Sequence, residues 1–225
     1  EEMLRQSIAG KHALITSGTG SGKTESFLLP LFSYLIKESE RWPAPSNKST
    51  HWDDWWRSID YRSECKRKNL SPRVPHRDHE SKQRPAAVRA LIIYPMNALV
   101  EDQIGRLRKA LDSDESREWF DRKRKGNRIY FGRYTGFTQS AGFEFDDQGK
   151  PDTARIERLI KELDNFDRSH GQIDGMPSDT EAESALKNDA RSSFPRPCGG
   201  EMFSRWDMQS HPPDILITNF SMLAI

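Results

Sequence analysis

An eight-residue segment near the start of the chain carries the residue types that bind phosphate. Its members are Ser17, Gly18, Thr19, Gly20, Ser21, Gly22, Lys23 and Thr24. Glycines let backbone N–H groups close around phosphate oxygens, and a helix that starts at the lysine adds a positive dipole. In such a P-loop the lysine reaches the β- and γ-phosphates of a nucleotide, and the threonine hydroxyl ligates Mg²⁺. We therefore predict that all eight residues bind ATP, that Lys23 and Thr24 are catalytic, and that Thr24 holds Mg²⁺. A flexible glycine-rich turn is the alternative.

Short apolar runs predict the strands that position this loop. They are His12–Thr16, Ala90–Tyr94, Arg128–Phe131 and Asp214–Thr218. Each is rich in Ile, Leu or Tyr and ends at Gly, Pro or Asn, as buried strands do. The first run leads directly into the P-loop, which is the context that the motif requires.

Helical patterns follow the first two strands. After the P-loop, apolar residues recur at helical spacing from Phe27 to Ile36, and Pro30 should kink or tighten that helix. A second helix carries Leu99, Ile104, Leu107 and Leu111. Alternating strands and helices predict an α/β fold with a mostly parallel sheet, right-handed crossovers and helices on both faces.

Two long polar stretches interrupt this plan and are predicted to be insertions. Residues 41–86 are basic and contain four of the six tryptophans, Trp42, Trp52, Trp55 and Trp56. Residues 138–212 contain a helix with Ile156, Leu159, Ile160 and Leu163 on one face. A capping-box pattern from Ser178 to Glu181 predicts a second helix there. We expect the tryptophans to anchor a small core, with base stacking as the alternative.

Composition excludes some classes of protein. The 225 residues are 34% hydrophobic and 31% charged with a net charge of +1, so overall charge does not indicate a partner. No apolar run approaches the ~20 residues of a membrane span. The two cysteines are far apart in sequence, as is typical of a cytoplasmic protein. Cys65, His76 and His79 offer at most three zinc ligands, and we assign no metal to them.

Four segments, in order, resemble superfamily 2 DEAD/DEAH-box (DExH) helicases. Thr16–Pro30, reading TSGTGSGKTESFLLP, resembles motif I, and Ile92–Gln103, reading IIYPMNALVEDQ, resembles motif Ia with Met96 in place of the usual Thr. Tyr134, Thr135 and Gly136 lie where these helicases have small residues that contact the nucleic-acid backbone. Ile215–Leu223, reading ILITNFSML, is similar to the element that precedes the DExH box, with Phe220 in place of Pro. The sequence Tyr-Pro-Met-Asn-Ala-Leu within motif Ia and the large insertions resemble those of phage-defence (DISARM-like) helicases.

This resemblance implies the N-terminal RecA-like domain of an ATP-dependent helicase or translocase. It also implies nucleic-acid contacts at Asn97, Thr135 and Thr218, with DNA as the expected partner and RNA as the alternative. From the residues alone, Asn97 is equally a helix cap, and the two threonines are equally turn formers.

The family's remaining parts are expected beyond Ile225. They are the DExH carboxylates and a second RecA-like domain, which would be a partner of this one, and defence-system proteins are further expected partners. Residues 1–225 alone should therefore bind ATP with negligible hydrolysis. Two other classes of function stay open: a P-loop NTPase that acts on a substrate other than nucleic acid, and a non-hydrolysing nucleic-acid-binding module that uses the Trp-rich stretch.

Overall fold

A computed structural model of the chain describes residues 5, 6, 9–12, 14, 16 and 23–223. The chain divides into two compact units, Glu1–Pro43 and Ala44–Ile225. In chain order the elements are α1 (Lys23–Ser39), α2 (Ile59–Arg67), β1 (Ala90–Tyr94), α3 (Asn97–Leu111), α4 (Asp114–Lys123), β2 (Phe131–Tyr134), α5 (Thr153–Asp174), α6 (Glu181–Ser192), β3 (Glu201–Met202), α7 (Arg205–Ser210), β4 (Ile215–Asn219) and α8 (Phe220–Leu223).

Helix α1 dominates the described part of the first unit. It begins at Lys23 and continues through Pro30 without ending there. Leu28 and Leu35 are buried, as the apolar spacing predicts. Of the predicted strand His12–Thr16, the described residues His12, Leu14 and Thr16 do not form a strand. Leu14 is 91% exposed, and no described strand pairs with these residues, so they lack the ladder that a strand requires.

The second unit contains a four-stranded sheet in the order β1-β4-β2-β3, and every pairing is parallel. Parallel strands end at the same edge of a sheet, so the residues after β1, β2 and β4 share one edge. This confirms the predicted α/β class. Strand β1 lies at the predicted residues, and β4 lies one residue later than the predicted Asp214–Thr218. Leu91 and Ile93 on β1, an edge strand of the described sheet, are exposed.

Strand β2 lies three residues later than predicted, at Phe131–Tyr134 and not at Arg128–Phe131. The reason is a buried carboxylate. The backbone N–H of Tyr130 donates to Asp214 Oδ2 at 2.8 Å. The N–H of Phe131 then donates to the carbonyl of Gly200 at 3.0 Å, and the ladder begins there. The run is buried from residue 129 to 131, as its apolar character predicts, but the side chain of Asp214 occupies its first hydrogen-bonding position.

Asp214 is the centre of a buried ion cluster at the start of β4. Its side chain is fully buried and accepts from Arg84 Nη2 at 2.7 Å and from Arg89 Nη1 at 2.8 Å. Arg77, also fully buried, lies 3.9 Å from the same carboxylate and 4.5 Å from the ring centroid of Tyr130. The cluster ties the end of the first basic stretch to the sheet.

Helix α3 covers the sheet with a stripe made by Val100, Ile104, Leu107 and Leu111. Leu99 was predicted on this face but is 39% exposed. Position 100 is four residues before Ile104, whereas Leu99 is five before it and points off the stripe.

The two predicted insertions pack on each other in one cluster, here named the insertion core. Its buried members are Trp52, Trp55, Trp56, Val74, Ile156, Leu159, Ile160, Leu163, Phe203 and Trp206. The indole N–H of Trp52 donates to the carbonyl of His76, and that of Trp56 donates to Asp167, both at 3.0 Å. Trp56 is only 1% exposed. These tryptophans therefore anchor a core, as predicted, and cannot stack on bases in this arrangement.

Helix α6 begins two residues later than the capping box predicted from Ser178 to Glu181. The box is formed by Thr180 and Glu183. Thr180 Oγ1 accepts from the N–H of Glu183 at 3.2 Å, and Glu183 Oε2 accepts from the N–H of Thr180 at 2.9 Å. Among the described residues, no helix has the length and apolar character of a membrane span.

Replacing Gly132 by Ala should destabilise the sheet by about 1–3 kcal/mol, the usual cost of overpacking. A Cβ at this position would lie 2.7 Å from the carbonyl oxygen of Met202 and 2.7 Å from the sulfur of Met208. The measurement is the urea midpoint followed by circular dichroism. Gly136→Ala is the control, because a Cβ there meets nothing within 4 Å. Equal midpoints for the two variants would contradict the packing.

Candidate nucleotide and nucleic-acid site

The predicted phosphate-binding loop directly precedes α1 in the sequence. Ser17, Gly18, Thr19, Gly20, Ser21 and Gly22, together with the side chain of Lys23, lie outside the described residues. Helix α1 is described from Lys23 onward, and Thr24 is half-buried. The first N–H groups of a helix have no partner within it, so this end can accept a phosphate, and a threonine hydroxyl beside it suits Mg²⁺.

In the second unit, the three predicted nucleic-acid residues lie at one edge of the sheet. Tyr94 of β1 pairs with Asn219 of β4, and Tyr134 of β2 pairs with Thr218. Asn97 follows β1, Thr135 follows β2, and Thr218 is near the end of β4. The carboxyl edge of a parallel sheet is where α/β proteins collect ligands.

Asn97 is linked to β4 through a residue that the motif comparison did not select. Asn219 Nδ2 donates to Asn97 Oδ1 at 2.6 Å. Asn219 Oδ1 also accepts from the N–H of Met222 at 3.0 Å. Asn97 is the first residue of α3 and makes no side-chain cap, since Met96 holds the N-cap position. The sequence did contain a signal for Asn219, because this residue directly follows Thr218 in the Thr-Asn pair.

Thr218 and Thr135 are buried, and their side chains are used within the protein. Thr218 Oγ1 donates to the carbonyl of Tyr134 at 2.7 Å. Thr135 Oγ1 accepts from the N–H of Phe137 at 3.3 Å. The carbonyl of Thr135 accepts from Arg205 Nη2 at 2.6 Å. These contacts fix the backbone of the edge, so its exposed groups are those of neighbouring residues.

Exposed aromatic residues adjoin both threonine segments. Phe137, two residues after Thr135, is 73% exposed, and Phe220, two residues after Thr218, is 61% exposed. Sequence reasoning missed them as site candidates, although an aromatic ring beside a predicted strand-contact motif is itself a signal. Such rings provide stacking surfaces for bases.

A family model described as DEAD/DEAH box helicase matches residues 1–129. The chain belongs to the DEAD/DEAH box helicase family. This confirms the resemblance drawn from the motifs and implies the RecA-like form of the α/β fold. DEAD/DEAH box helicase domains bind ATP, generally with Mg²⁺, and function in ATP-dependent work on nucleic acid.

A curated relative extends the comparison over nearly the whole chain. The chain is 28% identical to Druantia protein DruE of Escherichia coli (strain UMEA 4076-1) over 246 aligned residues. The alignment covers 97% of this chain and 11% of that protein, so the chain spans about a tenth of its relative's length. No solved structure gives a significant match.

Proposed function

We propose that this chain is the ATP-binding part of a motor that moves along nucleic acid, with DNA as the partner and RNA as the alternative. The observation that carries the proposal is the meeting of three separate segments at one carboxyl edge of the sheet. These segments follow β1, β2 and β4 and include Asn97, Thr135 and Thr218. Only part of the proposal concerns residues of this chain; the hydrolytic carboxylates and a second RecA-like domain are proposed to lie elsewhere in the protein.

The nucleotide half of the proposal rests on the start of α1. When bound, ATP with Mg²⁺ supplies a phosphoanhydride bond whose hydrolysis releases free energy. Lys23 is proposed to hold the β- and γ-phosphates, Thr24 to hold the metal, and Ser17–Gly22 to donate backbone N–H groups. Helix α1, described from Lys23 onward, supports this role because a helix directly after the loop adds its dipole to the phosphate site.

The nucleic-acid half rests on the sheet edge. Asn97 is half-buried and is proposed to contact the strand directly. Since the hydroxyls of Thr135 and Thr218 are engaged within the protein, these residues are proposed to present the backbone and the exposed rings of Phe137 and Phe220. Such contacts involve phosphate, sugar and base faces, so little sequence preference is expected.

A role in phage defence is proposed from the spelling of motif Ia, from the insertions, and from the similarity to a Druantia protein. Proteins of the same defence system would then be partners. The P-loop NTPase acting on another substrate is the competing function. A purely binding module that stacks bases on Trp52, Trp55 and Trp56 is disfavoured because these rings are buried.

ATP hydrolysis by the full-length protein should be stimulated by nucleic acid. The measurement is phosphate release with no polymer, with single-stranded DNA and with RNA of the same sequence and length. Stronger stimulation by DNA than by RNA supports DNA as the partner, and stronger stimulation by RNA would make RNA the partner. A rate that neither polymer changes would favour the competing NTPase.

Asn97→Asp should weaken binding to single strands by roughly fivefold. The new carboxylate can still accept the hydrogen bond from Asn219 Nδ2, so the edge keeps its geometry, but it repels phosphate by about 1 kcal/mol at 4 Å in water. The measurement is fluorescence anisotropy with two unrelated labelled strands. The matched control is Asn188→Asp on an exposed position of α6. Equal affinities of both variants for both strands would remove Asn97 from the proposed contact.

A further inference from the structure

A polar cavity lies within the unit Ala44–Ile225 and uses none of the P-loop residues. Its volume is about 260 Å³. It is lined from the first basic stretch, from α4 and the loop after it, and from the segment before β3. The residues that matter for its chemistry are Lys48, Trp52, His79, Arg117, Asp121, Lys125, Arg128 and Tyr130.

The lining carries an excess of positive charge. It contains four cations, Lys48, Arg117, Lys125 and Arg128, against the single carboxylate of Asp121. Asp121 accepts from Arg128 Nη2 at 2.7 Å, so it is already neutralised. Lys48 and Lys125 have no carboxylate partner in the part of the chain that the structure describes. The cavity is therefore matched in charge to an anion.

His79 adds a buried polar atom without a partner. The residue is 7% exposed, and its Nδ1 makes no hydrogen bond, while its Nε2 lies 3.4 Å from the hydroxyl of Tyr130. The edge of the ring packs against Trp52 with centroids 4.5 Å apart. Burial and the neighbouring charge of Lys48 lower the pKa of His79 to about 4, so the ring is neutral at pH 7. With Tyr130 donating to Nε2, the proton of the neutral ring would be on Nδ1, and this N–H would lack an acceptor.

Trp52 closes one side of the cavity and holds one of the unpaired cations. The ammonium of Lys48 lies 4.2 Å from the centroid of the Trp52 ring. A buried donor without an acceptor has an energetic cost, and native proteins usually satisfy such a group with a partner. An anion between His79 and the two free lysines would satisfy the donor and neutralise the cations together.

We propose that this cavity binds a phosphate group, carried either by a free nucleotide or by the end of a nucleic-acid strand. The volume is near the lower limit of small-molecule pockets, about 300 Å³, so the cavity holds a phosphate group with room for part of the molecule that carries it. Arg117 and Arg128 are held by carboxylates and form the fixed wall. Lys48 and Lys125 are exposed and close on the anion. The site is independent of the proposed motor activity and can stand or fail without it.

The test is equilibrium dialysis of labelled inorganic phosphate against the full chain carrying Lys23→Ala, which removes the P-loop contribution. In this background, Lys48→Ala with Lys125→Asn should weaken phosphate binding by about tenfold or more, since charged hydrogen bonds are lost. Asn is chosen at 125 because the φ of Lys125 is +58°, a conformation that Asn tolerates. Lys82→Asn with Lys161→Ala removes two exposed lysines elsewhere and should change nothing.

Further arms distinguish the source of the phosphate. If a nucleoside monophosphate displaces labelled phosphate at the same concentration as a 5′-phosphorylated strand does, the ligand is a free nucleotide. If the strand displaces it at lower concentration, and loses this advantage without its 5′-phosphate, the ligand is a strand end. His79→Phe keeps the contact with Trp52 but removes the Nδ1 donor, and it should also weaken binding. Phosphate binding that disappears with Lys23→Ala alone, or that survives loss of Lys48 and Lys125 unchanged, overturns the proposal.

Discussion

Asp214→Ala should lower the free energy of unfolding by about 3–5 kcal/mol, the range for removing one partner of a buried ion pair. The expected loss is large because the carboxylate has no exposed surface and serves three donors. Without it, Arg84 would keep its pair with Glu80, Arg89 would lose its contact with the carboxylate, and the N–H of Tyr130 would lose its acceptor. The measurement is the urea midpoint of the second unit, followed by the fluorescence of its buried tryptophans.

Asp78→Ala is the matched control, since this carboxylate follows Arg77 in the sequence but is exposed, and its loss should change stability by no more than ~0.5 kcal/mol. Asp214→Asn separates charge from shape, because the amide oxygen still accepts from Tyr130 while the negative charge is lost. A midpoint for Asp214→Ala equal to that of the Asp78 variant would show that the cluster contributes little to the fold.

Lys23→Ala should weaken ATP binding by roughly tenfold to more than a hundredfold. Charged hydrogen bonds to phosphate contribute ~1.5–3 kcal/mol, and this lysine is the one that the motif directs to the β- and γ-phosphates. The position is also the first residue of α1, so Ala, a good helix former, should leave the helix intact. Titration with a fluorescent ATP analogue in the presence of Mg²⁺ measures the change.

Lys37→Ala provides the control within the same helix. Lys37 is an exposed basic residue in the last turn of α1, at the end opposite the proposed phosphate site. Its loss should leave nucleotide affinity unchanged. If both lysine variants bound the analogue as tightly as the parent, the phosphate-binding role of the loop would be wrong.

Much of the sheet was predictable because the local sequence of its strands is distinctive. Ala90–Tyr94 is a short apolar run that ends before a proline, and β4 is equally apolar and leads into the Thr-Asn pair. The amphipathic face of α5 was predictable for the same reason, since Ile156, Leu159 and Leu163 follow helical spacing. Such patterns depend only on neighbours in sequence.

Two differences from the prediction arose where a distant residue decides the structure. Nothing near Arg128 indicates that the carboxylate of Asp214 will take the N–H of Tyr130 and delay β2. Likewise, nothing in the local sequence indicates that Arg77 and Arg84 are buried around that same carboxylate. In the proposed site, motif comparison found Asn97 but not its partner Asn219, because the pairing is made across 122 residues.

The residues of the insertion core are synthesised at widely separated times. Trp56 leaves the ribosome 111 residues before its hydrogen-bond partner Asp167, a wait of roughly 6–22 s at ~5–20 residues per second. Phe203 and Trp206, which complete the same cluster, arrive later still. Throughout this interval three indole rings of the nascent chain lack most of the residues that will bury them. The Trp-rich stretch is therefore the segment of the growing polypeptide that chaperones would be expected to hold, and slowing translation before residue 167 should increase its aggregation.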